Sequence, residues 1–131
     1  MTLTVKTRAK TEFVDITSQI ESHLGKSSFR SGLCFLFVPH TTAAITINES
    51  ADPSVQSDIL KVLNDVIPWE ADYRHLEGNS SAHIKASIIG ASELISVEGG
   101  QPVLGTWQGI FFCEFDGPRT RKLHIKLMPD R

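Results

Sequence analysis

The chain has 131 residues, 40% hydrophobic and 21% charged, with a formal net charge of −2. That length predicts one domain over residues 1–131, with a core that needs no disulfide or metal staple. The near-neutral balance gives no whole-chain electrostatic case for nucleic acid or anionic membrane.

The N-terminal Met-Thr-Leu-Thr-Val-Lys has no extended apolar run, so neither a signal peptide nor a transmembrane helix is expected. Leu3, Val5 and Thr7 alternate with Thr4, Lys6 and Arg8, which predicts a strand with one solvated face. Glu12 to Ile16 predicts a second strand. Ser18 and Glu21 then read as a capping box for a short helix, with Ile20 and Leu24 on one face, Gly25 as its stop and His23 exposed. The apolar run Leu33 to Val38, between Gly32 and Pro39, predicts a strand buried on both faces. Pro39 to Thr42 turns the chain, and Ala43 to Asn48 is expected to return antiparallel beside it. His40 thereby falls at a strand end, where loops carry function.

Asp52-Pro53 starts a helix whose stripe is Val55, Ile59, Val62 and Val66, closed by Pro68. A polar stretch from Trp69 to Gly78 delivers His75. Asn79 or Ser80 caps a further helix to about Ile89, with Gly90 as terminator, Ile84 and Ile88 as its apolar ridge, and His83, Ala86 and Ser87 on another face. Leu94 to Val97 is a strand, Glu98 to Gln101 a turn, and Trp107 to Phe115 a long strand that Asp116-Gly117-Pro118 turns into Arg119 to Met128. Cys34 and Cys113 lie far apart in apolar runs, the pattern of reduced, buried thiols in a cytoplasmic protein. Strands joined by local turns, with helices packed on them, predict an α+β fold with a mainly antiparallel sheet.

The chemistry concentrates between His75 and His83. A helix N-terminus disfavours imidazolium, so His83 is expected neutral, the metal-binding form, at a place where anions also gather. A catalytic zinc-type site wants three protein ligands. His40 is the best third ligand, with Glu49, Asp52 and Glu77 as carboxylate alternatives. The spacing alone matches no tight metal signature, and two ordinary surface histidines remain the competing reading. Arg119, Arg121 and Lys122 could clamp a phosphate or simply form a charged strand edge. Trp107 and Gln108 could orient a heterocycle, or Trp107 could anchor the core. Glu114, in an apolar strand, needs a partner if it points inward, and Arg121 is the expected one. No P-loop, dinucleotide fingerprint or nucleophile elbow is present.

Four motifs in order, Val38-Pro-His-Thr-Thr-Ala-Ala, Ile47-Asn-Glu-Ser-Ala-Asp-Pro53, His75 with Ala82-His83, and Leu104-Gly-Thr-Trp-Gln-Gly-Ile110, resemble the YjbQ-type family. That family is also called secondary thiamine-phosphate synthase. The resemblance implies a compact α+β sandwich, a homotrimer, and a histidine cluster at His40, His75 and His83 that binds metal or anion. It also implies a weak ability to join a pyrimidine-methyl diphosphate to a thiazole phosphate. On this reading His40, His75, His83 and Glu49 are catalytic, and Trp107, Gln108, Arg119 and Arg121 hold a small phosphorylated metabolite. Histidine ligands favour zinc, whereas diphosphate chemistry usually runs on magnesium with oxygen ligands. That mismatch points to a synthase activity that is a side reaction of the site. The three histidines with Glu49 or Asp52 motivate a metal-dependent hydrolase or lyase as an alternative, and the absence of a strong catalytic motif a non-catalytic metal- or metabolite-binding trimer.

Overall fold

The computed structural model describes residues 1–131. In chain order the elements are β1 (Thr2–Lys6), β2 (Glu12–Asp15), α1 (Thr17–Lys26), β3 (Gly32–Phe37), β4 (Ala43–Glu49), α2 (Pro53–Val66), α3 (Ser80–Ile89), β5 (Ser92–Glu98), β6 (Gln101–Pro102), β7 (Gln108–Glu114) and β8 (Thr120–Pro129). They form a five-stranded sheet, β1-β8-β3-β5-β6, and a three-stranded sheet, β2-β7-β4. All pairings are antiparallel. The α+β expectation holds.

The sheets meet over one apolar layer. Val5, Cys34, Leu36, Ile95, Val97, Leu123 and Ile125 of the larger sheet face Ala43, Ile45, Ile110 and Phe112 of the smaller, with Ile20 and Leu24 of α1 in the same cluster. Period-2 alternation puts those residues on one face of each strand. The other face of the small sheet contributes Ala44, Cys113 and Phe115, which pack on Ala82 and Ala86 of α3 and on Leu60 and Leu63 of α2. β7 is thus covered on both sides, and every residue from Gly109 to Phe115 is buried. Both cysteines are free and buried.

Several local expectations are met. Asp52 caps α2 by accepting from the Ser54 N–H at 3.0 Å, with Pro53 in the first turn. Gly99 and Gly100 take positive φ in the β5–β6 hairpin, as a tight two-residue turn requires. β8 buries Arg121, Leu123 and Ile125 and exposes Lys122, His124 and Lys126.

Others are corrected. β4 does not return beside β3; it crosses to the other sheet and pairs with β7. β7 and β8 likewise belong to different sheets. β3, not buried on both faces, alternates, with Leu33 and Phe37 on an uncovered outer face. α1 starts at Thr17, whose N–H is held by Asp15 Oδ1 at 2.9 Å, and no capping box forms. Of the expected α2 stripe, Val55 and Ile59 are half-buried but Val62 and Val66 are 56% and 72% exposed, and Leu60 and Leu63 face the sheet. α3 is inverted too. Ser81, Ala82, Lys85 and Ala86 are buried, and Ile84 and Ile88 point outward: the two alanines let the helix approach Ala44 and Cys113, while buried Lys85 donates from Nζ to Asn64 Oδ1 at 2.6 Å.

Candidate functional site

α3 begins at Ser80, and no side chain caps its first turn. Asn79, expected as the cap, instead donates to Asp116 Oδ2 at 3.0 Å, and its own Oδ1 is buried without a partner. Asp116 also binds Arg119 through its backbone oxygen at 2.8 Å and its carboxylate at 3.1 Å. Arg119 is thereby tethered, through Asp116 and Asn79, to the start of α3. The Arg119 charge is paired there with the Asp116 carboxylate, so what favours an anion at the helix start is its uncapped N–H groups and the helix dipole.

His83 is the hub. Its ring meets that of His75 edge to face, with centroids 5.3 Å apart. The two rings line a surface cavity of about 520 Å³ together with Asp72, Tyr73, Arg74 and Ser80. On its other side His83 lines a second cavity of about 470 Å³ with His40, Thr41, Ala86 and Ser87. All three histidines singled out in the sequence therefore border two adjoining hollows, joined at His83. Arg74 and Ser80 were missed by the sequence reading; adjacency to His75 and to the helix start was the available signal. Tyr73 is spent on structure, its hydroxyl donating to the Pro68 carbonyl at 2.6 Å.

His40 is held by β8. Its Nε2 accepts from the backbone N–H of Lys122 at 2.9 Å. Partial burial, and next the nearby Arg121 cation, hold its pKa below the ordinary histidine value. His75 approaches Glu77 only to 4.0 Å, and Glu77 is largely solvated.

The other candidates divide. Arg121 is buried, binding Glu114 through Nε at 2.9 Å and Thr42 Oγ1 at 2.8 Å. The expected Glu114 partner is therefore found, and the expected phosphate clamp is occupied as an internal ion pair. Glu49, Trp107 and Gln108 sit together at the far end of the small sheet, where Glu49 faces Gln108 in register. The run of β4 from Ala43 to Glu49 spans about 20 Å at the usual strand rise, so within one chain these three stand apart from the histidines. Glu49 accepts from the Ala51 N–H at 3.0 Å, Gln108 accepts from the Gly105 N–H at 2.8 Å, and Trp107 is 63% exposed, not a core anchor. Asp52 is committed to its helix cap. His124 is exposed and touches Thr2 Oγ1, and His23 is half-buried on α1.

The three-histidine metal centre does not form within the chain. No group of three or more His, Cys, Asp or Glu side chains is arranged to hold an ion. A ligating imidazole must offer an unprotonated nitrogen, and the one His40 has is already engaged by Lys122.

A β-sandwich with two helices on one outer face, and a histidine-lined hollow at a helix start, defines the class. The chain belongs to the YjbQ-like UPF0047 family, whose model matches residues 1–130. It is 52% identical over 128 residues to the UPF0047 protein YugU of Bacillus subtilis, covering 97% of each chain. It is also 52% identical to a UPF0047 protein of Methanocaldococcus jannaschii, covering 97% of this chain and 92% of that one. Among solved structures, a YjbQ/UPF0047 family protein of Clostridium acetobutylicum superposes with a TM-score of 0.94 at 50% identity, over 98% and 99% of the two chains. A protein of Aeropyrum pernix does so with a TM-score of 0.94 at 36% identity, over 99% and 98%. No helix is long and apolar enough to cross a membrane.

Proposed function

We propose that the chain is a transferase acting on small phosphorylated metabolites, with thiamine phosphate formation as its reaction. The observation that carries this reading is the position of His83 in the first turn of α3, bordering one hollow with His75 and Arg74 and another with His40. In that reaction the ring nitrogen of the thiazole phosphate attacks the methylene carbon of the pyrimidine-methyl diphosphate. The carbon–oxygen bond breaks, and its electron pair leaves with diphosphate. Catalysis then consists of bearing the charge on the departing oxygens, which fixed donors in a partly dry site do well. Arg74 and the α3 N-terminus supply positive potential, the histidines supply N–H donors, and Arg119 can join them only by leaving the Asp116 carboxylate.

A homotrimer completes this reading. The outer face of the five-stranded sheet exposes Leu33, Phe37 and Leu94, the last at 55%, and such an apolar face is suited to a second copy. The cluster of Glu49, Trp107 and Gln108 serves the ring of the substrate only if a neighbouring subunit presents it. The test is diphosphate release from the two precursors by the purified protein and by His83→Ala. Loss in the variant is expected; equal turnover rejects the reading. Ligand binding with no turnover would favour the non-catalytic alternative, and zinc-stimulated cleavage of simple phosphate esters would favour the hydrolase.

A further inference from the structure

The loop that carries His40 is pinned on both sides. Val38 N–H donates to Ala91 O at 2.8 Å, Phe115 N–H donates to Thr42 O at 3.2 Å, and Arg121 holds the Thr42 hydroxyl. Beside it, β3 ends with Phe37 opposite His124 of β8, while β8 continues to Lys122 opposite Thr4 of β1. The Lys122 N–H on the β3 side therefore has no strand to receive it, and His40 Nε2 takes the place of the missing carbonyl at 2.9 Å. A ring nitrogen that accepts a hydrogen bond bears a lone pair and no proton, so the proton of the neutral ring is on Nδ1. Nδ1 makes no hydrogen bond within the chain, and the ring borders the hollow it shares with Thr41, His83 and Ser87.

We propose that His40 is a fixed hydrogen-bond donor of this site, offering Nδ1–H to an anionic oxygen of the ligand, and is not a metal ligand. The inference rests on the reading that a phosphorylated ligand enters beside His83, and it gives one histidine a definite part there. The backbone of β8 sets the tautomer. Binding a metal through Nε2 would require Lys122 N–H to lose its acceptor.

A purely structural role, in which His40 only caps Lys122, is separated by side-chain choice. His40→Gln keeps an acceptor near the Nε2 position and has no donor at the Nδ1 position, whereas His40→Ala loses both. With the full chain labelled in ¹⁵N, imidazole spectra are recorded alone, with inorganic diphosphate, and with zinc. Expected are an Nδ1–H tautomer for His40 in the free protein, a shift of its Nδ1 signal with diphosphate, and no change with zinc. His40→Gln is expected to unfold close to the wild-type temperature yet bind diphosphate about tenfold or more weakly, the loss of one hydrogen bond to a charged group. An Nε2–H tautomer, coordination of zinc by His40, or equal diphosphate affinity in His40→Gln overturns the proposal. Shifts at His75 and His83 without one at His40 defeat this inference alone. The absence of shifts at all three defeats the site reading and, with it, the donor role.

Discussion

Arg121 of β8 and Glu114 of β7 form a buried ion pair that joins the two sheets, with Arg121 Nε 2.9 Å from Glu114 Oε1. The carboxylate also accepts from Thr7 Oγ1 at 2.7 Å and the Asp116 N–H at 2.9 Å. Burial acts to raise its pKa, but the hydrogen bonds from Arg121, Asp116 and Thr7, with the Arg121 charge, hold it below the ordinary carboxylate value. Removing one partner strands the other in the interior. Glu114→Gln is therefore expected to cost about 3–5 kcal/mol at neutral pH, measured by urea unfolding. Because the folded-state pKa is depressed from 4.5, the pair's contribution is complete above that pH and is lost as pH falls through the lower folded value. The gap between wild type and Glu114→Gln should narrow in acid; a gap that widens there contradicts the assignment.

Gly109 lies where β7 passes Ser50 and Thr17. A Cβ added there would stand 2.6 Å from Ser50 Cβ and 3.1 Å from Thr17 Oγ1, and that hydroxyl already receives the Ile110 N–H at 2.9 Å. Gly109→Ala is expected to destabilise the fold by about 1–3 kcal/mol through overpacking. A thermal midpoint equal to wild type would show that the close approach relaxes without strain.

Phe37 is 40% exposed and stacks on Phe35, with ring centroids 6.4 Å apart, on the outer face of the larger sheet. If that face packs subunits together, Phe37→Asp places a charge in the contact and should convert a trimer to monomers by light scattering. An unchanged trimer mass would move the contact elsewhere on the molecule. A monomeric wild type would remove the shared-site reading.

Asp52 holds the start of α2 through both the N–H and the hydroxyl of Ser54, at 3.0 and 2.7 Å. Asp52→Ala should lower stability by about 1 kcal/mol and leave diphosphate binding at the His83 hollow intact. Lost binding in a folded Asp52→Ala protein would return Asp52 to the ligand set considered from the sequence.

By itself the sequence determined what depends on near neighbours along the chain. The alternation of Arg121, Leu123 and Ile125, the Asp52-Pro53 helix start and the Gly99-Gly100 turn all follow from local geometry, and each is present in the fold. The pairing of Glu114 with Arg121 was legible too, though as a contact across a hairpin, whereas the pair joins strands of different sheets. Only the tertiary structure decided which sheet each strand joins, since short turns after β3 and β7 are compatible with either a hairpin or a crossing between sheets. It also decided which helix faces are buried, because Ala82 and Ala86 of α3 had to meet Ala44 and Cys113 of the sheet, and Lys85 had to reach Asn64 of α2. The site shows the same division. His40, His75 and His83 could be named from the sequence, but the His40 Nε2 contact with Lys122 spans 82 residues, and no local pattern encodes it. That contact is the ground for proposing His40 as a donor, and it depends on a backbone N–H left unpaired only because β8 extends past the end of β3.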